Sequence, residues 1–385
     1  MTVRLCRAII PVLLLSGCQT VSNFYDGWLR SGPKQKAAEL TSFQASATAR
    51  IIWQGGVTDA RRSVFYPAVA GNVVYAAGAS GRITGFTANS GSQQTAFDAG
   101  TPLSGGIGFG NGLLLAGTAR GEVLAFEPSG KPVWKVQLSG EVLSPPAGAE
   151  GVVVVRTGDG RIYGLDAVDG KQRWVYQRTL PPLAVRSFAG LVVHRGVVYA
   201  GFPGGRLVAI ALANGTVGWD SVVALPKGTT ELERVADVTS SPAVDGSQVC
   251  AVAFQGRVAC FDAVRGETLW ARDVSSISGM TIGARGAYVT DDRSAVLALD
   301  RSSGASLWKQ DKLDGRWASA PLAMGRYVIV GDYQGYVHVM SREDGAFVAR
   351  VATDGSAIQA PPAALDLSTF LVQTRNGGLY AINIQ

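Results

Sequence analysis

A repeated segment of about 40 residues constrains the fold of this chain more than any other feature. A typical copy opens with a glycine, continues with five or six mostly apolar residues, turns, and ends on a tryptophan. The clearest copies are GRIYGLDAVDGKQRW (160–174), GRLVAIALANGTVGW (205–219) and GRVACFDAVRGETLW (256–270). Further copies lie at 81–95, 121–134, 294–308 and 335–349. Such a period predicts units that bury their apolar faces against their neighbours.

The pattern predicts four short strands in each unit. The opening glycine supplies a hairpin turn, and a second apolar pair precedes it, as in SPAVDGSQVCAVAF (241–254). The composition agrees, because 49 glycines and only 17% charged residues are typical of short strands joined by tight turns. Four strands per unit is the pattern of a β-propeller blade.

The two ends of the chain complement each other. The last copy, 361–385, lacks its final strand, whereas Trp53 lies in a strand-like segment without preceding partner strands. Joining them would pair both exposed edges and close the ring. We therefore predict an all-β, eight-bladed propeller of four-stranded antiparallel blades over residues 49–385, closed by the N-terminal strand. A seven-bladed ring is the alternative.

The repeated tryptophans are interpreted as structural. A tryptophan at the end of each unit can stack between neighbouring blades and bury a large apolar area. The residues concerned are Trp53, Trp134, Trp174, Trp219, Trp270 and Trp308.

The N-terminus has the pattern of a targeting segment. Arg4 and Arg7 precede an apolar run, 8–15, that is too short to span a bilayer. The sequence LSGC resembles a bacterial lipobox, which implies a signal peptide at 1–17 and lipidation of Cys18. A plain signal peptide before a structural cysteine is the alternative. Residues 18–48 lack the strand pattern and are predicted to be a flexible tether.

Cys250 and Cys260 lie in one predicted hairpin. If Gln255 and Gly256 form its two-residue turn, Cys250 faces Phe261, and the two thiols point to opposite faces. We therefore predict that they are not bridged.

Charge and composition exclude several classes. The formal net charge of +6 falls to +4 without Arg4 and Arg7, and no basic run indicates nucleic-acid binding. Only His194 and His338 are present, far apart in the sequence, so no histidine metal site is predicted. No cofactor is predicted either.

The motif LDAVDGKQRW resembles the tryptophan-docking repeat of the pyrroloquinoline-quinone propellers. Dehydrogenases with this repeat usually are longer, and many carry an adjacent cysteine pair that is absent here. A dehydrogenase-like propeller and a polysaccharide-binding or adaptor propeller remain alternative functions. Because fold alone does not decide function, the loops outside the repeat become informative.

Two loops and the lipobox make the chain similar to the BamB family of the outer-membrane β-barrel assembly machinery. The segment LPPLAVRSFAGLVV (180–193) is similar to a family loop at Leu183, Val185 and Arg186. A second segment, GTTELERVADVTSSP (228–242), is similar at its threonine, acidic and arginine positions but has Thr239 where the family has a second aspartate. The partner-binding residues implied by this resemblance are Leu183, Val185, Arg186, Glu231, Arg234 and Asp237.

Spacing points to the same loops independently. The steps from Trp174 to Trp219 and from Trp219 to Trp270 are the longest in the series, 45 and 51 residues. Long loops on a rigid scaffold tend to carry function. Arg186 and Asp237 are candidates to pair with each other or with a partner; a solvated loop with a local ion pair is the alternative.

The resemblance implies a non-enzymatic, lipid-anchored scaffold on the periplasmic face of the outer membrane. Its expected partner is the periplasmic part of BamA within the barrel-assembly complex. A second hypothesis adds unfolded outer-membrane protein clients at exposed blade edges. Contact with the membrane is expected through the lipid anchor only, and no nucleic-acid partner is expected.

Overall fold

The computed structural model describes residues 37–385. These residues contain 32 strands and no α-helix. Among them, no helix is available that is long and apolar enough to cross a membrane. The predicted signal peptide and Cys18 lie outside the described residues.

The strands follow one another in short steps along the chain. They are β1 (Ala49–Gly56), β2 (Ala68–Ala70), β3 (Val73–Ala77), β4 (Arg82–Thr87), β5 (Gln93–Asp98), β6 (Gly105–Gly110), β7 (Leu113–Gly117), β8 (Glu122–Phe126), β9 (Pro132–Gln137), β10 (Ala147–Ala149), β11 (Val152–Arg156), β12 (Arg161–Asp166), β13 (Gln172–Gln177), β14 (Leu191–His194), β15 (Val197–Phe202), β16 (Arg206–Ala211), β17 (Val217–Val222), β18 (Ala243–Asp245), β19 (Gln248–Val252), β20 (Val258–Asp262), β21 (Thr268–Arg272), β22 (Gly279–Gly283), β23 (Gly286–Thr290), β24 (Val296–Asp300), β25 (Ser306–Gln310), β26 (Leu322–Met324), β27 (Tyr327–Gly331), β28 (Tyr336–Ser341), β29 (Phe347–Ala352), β30 (Ala363–Ala364), β31 (Thr369–Gln373) and β32 (Gly378–Ile384).

These strands form eight four-stranded antiparallel sheets. Blades 1 to 7 each use four consecutive strands, from β2–β5 to β26–β29, and blade 8 has the order β1-β32-β31-β30. The N-terminal strand pairs antiparallel with the C-terminal one, from Ala49 opposite Ile384 to Gly56 opposite Gly378. The predicted eight-bladed ring, closed by the N-terminal strand, is confirmed.

The six repeat tryptophans bind the next blade in one recurring way. The Trp53 indole donates to the carbonyl of Ala88 at 2.7 Å, and the Trp174 indole donates to Leu212 at 2.8 Å. The other four indoles make the same kind of bond, to Ala167, Ala263, Arg301 and Arg342. Each ring also lies against a glycine with positive φ in the next blade, where a Cβ would approach the indole to 2.9 Å or less. Six of the eight blade junctions are therefore each stabilised by one buried or half-buried indole ring and one hydrogen bond.

Cys250 and Cys260 are joined by a disulfide, so the prediction of two unbridged thiols was wrong. The cysteines lie directly opposite each other in β19 and β20. The turn is longer than two residues, because Ala253 donates its amide to the Arg257 carbonyl at 3.1 Å. Phe254 does not face Arg257; its amide donates instead to the Asp237 carbonyl at 2.8 Å. A loop from the preceding junction therefore changes the register of this hairpin.

The segment just before β1 packs against blade 7. The amides of Ser46 and Ala47 both donate to the Val348 carbonyl, and Phe43 packs on Phe347 with ring centroids 5.6 Å apart. Arg350 lies over the Phe43 ring and donates to the Thr41 carbonyl. Part of the predicted tether, 38–48, is therefore held on the ring.

The topology assigns each loop to a face of the ring. In an antiparallel blade, the turn between strands two and three lies at the same end as the connection to the next blade. Both loops that the sequence singled out are such connections, after β13 and after β17. We call this end of the ring the connection face.

Candidate partner-binding site

Three successive blade connections build the site. They are residues 138–146, 178–190 and 223–242, which lead into blades 3, 4 and 5. They lie side by side on the connection face because the blades follow one another around the ring. The site therefore depends on the junctions around blade 4.

Asp237 holds two of these loops together. Its carboxylate accepts the amide of Val185 at 2.7 Å and the amide of Gly204 at 2.9 Å, and the side chain is almost completely buried. One group thus links the 178–190 loop, the β15–β16 turn and its own loop. The charge-assisted bond to Val185 fixes the backbone immediately before Arg186, and the bond to Gly204 ties it to blade 4.

The charge on Asp237 is partly compensated. Burial raises the pKa of its carboxyl group, while the Val185 and Gly204 amides and the nearby guanidinium of Arg156 act in the opposite direction. Burial lowers the pKa of Arg156, and Asp237 opposes that shift. Arg156 also donates to the Gly201 carbonyl and lies 5.2 Å over the Phe202 ring. Asp237 therefore acts inside the fold and positions the loops from below.

Arg186 is exposed above this buried layer. Its guanidinium forms a two-pronged contact with Glu141, with nitrogen–oxygen distances of 3.0 and 2.8 Å, and lies 5.8 Å from the Phe188 ring. About half of the Arg186 side chain and 30% of the Glu141 side chain are exposed. The Arg186–Asp237 pair, one of the two alternatives from the sequence, is not formed. Arg186 instead presents part of its guanidinium to solvent.

Glu231 and Arg234 lie farther out, on a short turn. Their charged groups are 3.8 Å apart and both side chains are largely exposed. Glu233 shapes this turn by accepting the amides of Thr229 and Thr230, which lowers the pKa of its carboxyl group to about 2. An exposed ion pair of this kind contributes little stability, so the two charges are available for contacts.

Apolar side chains accompany these charges. Leu183, Val185 and Phe188 are half-buried, whereas Leu225 and Leu232 are 63% and 45% exposed. Thr239 stands where the family that the sequence resembles has an aspartate. It is buried, and its hydroxyl donates a hydrogen bond to the Ile277 carbonyl. A mixed surface with apolar side chains around a partly exposed arginine is typical of protein interfaces.

Sequence analysis missed Glu141. It lies in a nine-residue connection, 138–146, that has no unusual length and no motif, so neither signal pointed to it. The available clue was topological, because that connection is the neighbour of the 178–190 loop on the same face.

A metal site needs several ligating side chains close together. Within residues 37–385, no group of three or more His, Cys, Asp or Glu side chains is placed to hold a metal ion.

Comparison with known proteins connects this geometry to a family. The family model described as "Outer membrane protein assembly factor BamB" matches residues 79–310 and 293–385. A curated protein of that description from Nitrosomonas eutropha is 42% identical over 100% of this chain and 95% of its own length. The corresponding protein from Bordetella pertussis is 41% identical over 96% of this chain and 94% of its own.

The chain belongs to the BamB family. The crystal structure of BamB from Moraxella catarrhalis superposes with a TM-score of 0.80 at 25% identity, covering 87% of this chain and all of that one. A quinohemoprotein alcohol dehydrogenase from Comamonas testosteroni reaches a TM-score of 0.71 at 12% identity, over 87% of this chain and 76% of its own. That second likeness extends to the fold alone.

Proposed function

We propose that this chain is a non-enzymatic assembly factor for outer-membrane β-barrel proteins and that it binds the periplasmic part of BamA through the Arg186 side of the connection face. Membership of a family described as outer membrane protein assembly factors supports the general role. The observation that carries the surface is the Asp237 carboxylate, which fixes two long loops and leaves Arg186 exposed above them.

Arg186 would be the central polar contact. A partner carboxylate can replace Glu141 in the same two-pronged geometry, and arginine is favoured at interfaces for this reason. Leu225 and Leu232 would supply apolar contacts at the edge, next to Glu231 and Arg234. Leu183 and Val185 would shape the surface under the partner, and Asp237 would act as a positioning residue.

Three variants test the assignment by co-purification of BamA from solubilised membranes. We expect Arg186→Glu to reduce capture at least tenfold. Glu141→Gln should leave capture equal or stronger, because it removes the internal competitor for Arg186. Arg285→Glu, on the opposite face in the β22–β23 turn, is the matched control.

The pattern of results separates two roles for Arg186. If Arg186 only braces the loops by pairing with Glu141, then Glu141→Gln and Arg186→Glu should impair capture alike. That result, or full capture by Arg186→Glu, would refute the proposed contact.

We further propose that the chain is anchored to the outer membrane on its periplasmic face by lipid on Cys18. The lipobox-like LSGC sequence supports this anchor. Replacing Cys18 by serine should move the protein from the membrane fraction to the soluble periplasmic fraction and abolish labelling with radioactive palmitate. Unchanged membrane association and labelling would exclude the anchor.

A further inference from the structure

A second surface lies on the connection face, on the other side of the ring from Arg186. It is formed by Arg61, Trp317, Tyr333 and Arg375, and we call it the Trp317 surface. These residues come from the connections into blades 7 and 1 and from turns of blades 7 and 8. The Arg186 site is centred on blade 4, so about half the ring separates the two surfaces.

Trp317 has an unusual combination of properties. Its side chain is 56% exposed, and its φ of +53° lies in the left-handed region. A bulky side chain in this conformation is an outlier, and such strain clusters at functional sites. Burial of an apolar side chain does not explain the strain, because the ring faces solvent.

Trp317 differs in its position from most other positive-φ residues. Within residues 37–385, seven residues other than glycine have positive φ. Five lie in tight turns between paired strands, namely Asn111, Glu150, Arg195, Gln255 and Ser294. The other two, Arg61 and Trp317, lie in blade connections, and both belong to the Trp317 surface.

The loop under Trp317 is held rigidly. The neighbouring Arg316 is buried, donates to the Asp332 carboxylate at 2.8 Å and donates to the Ala38 carbonyl at 2.9 Å. The Tyr333 amide in turn donates to the Arg316 carbonyl at 3.0 Å. The backbone that carries the exposed Trp317 side chain is thus held beside the backbone of the exposed Tyr333, which lowers the entropy cost of contacting a partner.

Beside Tyr333 is a depression of about 450 Å³ whose lining includes Asp59, Arg61, Tyr333, Arg375 and Asn376. The Arg375 Nε donates to the Arg61 carbonyl at 3.2 Å, which brings the two arginines together. Asp59 is the single carboxylate in this lining, and it lies 3.9 Å from the Arg61 guanidinium. Positive charge therefore exceeds negative charge at the depression.

We propose that the Trp317 surface is a second docking site, for a segment of partner polypeptide that carries carboxylates next to an aromatic side chain. The guanidinium groups of Arg61 and Arg375 would take the carboxylates, and Trp317 and Tyr333 would stack on the aromatic ring. This site is separate from the proposed BamA contact and does not depend on it.

The test measures binding of a defined probe to the full chain purified in detergent. The probe is a fluorescein-labelled, amidated peptide of Glu and Gly with one central Tyr, and its counterpart carries Gln in place of Glu. Fluorescence anisotropy should show binding of the acidic peptide that is at least tenfold tighter than that of the neutral one. Added salt should weaken it, because the contact is electrostatic.

Variants distinguish a loss of binding at this surface from a loss of stability. Trp317→Asn and Arg61→Asn place at each position a residue that tolerates the left-handed conformation, so neither should lower the melting temperature. Each should weaken binding of the acidic peptide at least tenfold. Arg186→Glu, and the opposite-face controls Arg285→Gln and Leu367→Asn, should leave it unchanged.

Three outcomes in the peptide and surface-variant measurements would overturn the proposal, and a fourth concerns Arg186→Glu. They are no binding of the acidic peptide, equal binding of both peptides, and unchanged binding by the Trp317→Asn and Arg61→Asn variants. A loss of binding by Arg186→Glu alone would assign the peptide to the other surface and would overturn the proposal as well.

Discussion

Replacement of Trp53 by alanine tests whether the closing strand holds the ring as firmly as an internal strand does. The Trp53 side chain is buried, stacks at 6.3 Å on Phe86 and donates to the Ala88 carbonyl at 2.7 Å. These contacts join blade 8 to blade 1. Loss of Trp53 should therefore weaken the junction at which the ring closes, between blade 8 and blade 1.

The structure sets the expected size of the effect. Loss of a buried tryptophan costs about 3–5 kcal/mol, and the Ala88 carbonyl, left without its donor, adds to this cost. Unfolding entropy is about 2 cal/mol/K per residue, or about 0.7 kcal/mol/K for a domain of roughly 340 residues. A loss of about 4 kcal/mol should therefore lower the melting temperature by about 6 °C.

The assay compares Trp53→Ala with Trp174→Ala by thermal unfolding of the full chain. Trp174 makes the same contacts at an internal junction, with a 2.8 Å hydrogen bond to Leu212 and a glycine against its ring. We expect equal losses of stability within about 1 kcal/mol. A Trp53→Ala melting temperature close to wild type, with Trp174→Ala strongly lowered, would refute the argument that closure stabilises the ring.

Three further predictions concern buried polar groups and the disulfide. Asp237→Asn should lower the free energy of unfolding by about 2 kcal/mol. It should also speed hydrogen exchange at the Val185 and Gly204 amides, because the single oxygen of an amide side chain cannot accept both bonds that the two carboxylate oxygens accept. Unchanged exchange at these amides would contradict the prediction. Burial lowers the pKa of His338, whose Nε2 contacts Asp332, so the unfolded chain binds the proton more readily. The free energy of unfolding should therefore fall as pH drops below 6.5, by at most about 1.4 kcal/mol per pH unit. Chemical denaturation at several pH values should show a smaller decline for His338→Gln than for the wild type. An equal decline in both proteins would contradict this role of His338. Replacing Cys250 and Cys260 by alanine should lower stability by about 2–3 kcal/mol, as expected for a crosslink closing a short loop; if reductant leaves the wild-type melting temperature unchanged, the disulfide does not contribute.

The architecture could be predicted because several copies of the repeat each indicate the same four-stranded unit. One misread copy among seven changes little, and the unmatched ends at Trp53 and 361–385 supplied the count of eight. The register of the Cys250–Cys260 hairpin could not be predicted in this way. Its turn residue Phe254 bonds to Asp237, which belongs to another loop, and a two-residue turn rule contains no information about that loop.

The location of the site was predictable, but the hydrogen-bond and ion-pair partners of its residues were not. Loop length and the family resemblance selected 180–190 and 228–242, and the structure brings them together through Val185 and Asp237. The partner of Arg186 proved to be Glu141, in a loop of ordinary length. Strain at Arg61 and Trp317 is a property of backbone conformation, and neither residue type signals it in the sequence.

The proposed binding surface and the stability of the fold depend on the same junctions. Trp174 seals blade 3 to blade 4, and Trp219 seals blade 4 to blade 5 through its bond to the Ala263 carbonyl. The Asp237 carboxylate spans these junctions, because one of its acceptor contacts lies before blade 4 and the other within it. A change at either tryptophan would shift the blades by which Val185 and Arg186 are positioned. A buried substitution at these junctions should therefore weaken binding through Arg186 without touching the surface, whereas the same substitution at Trp308, in the half of the ring away from blade 4, should lower stability and leave that binding unchanged.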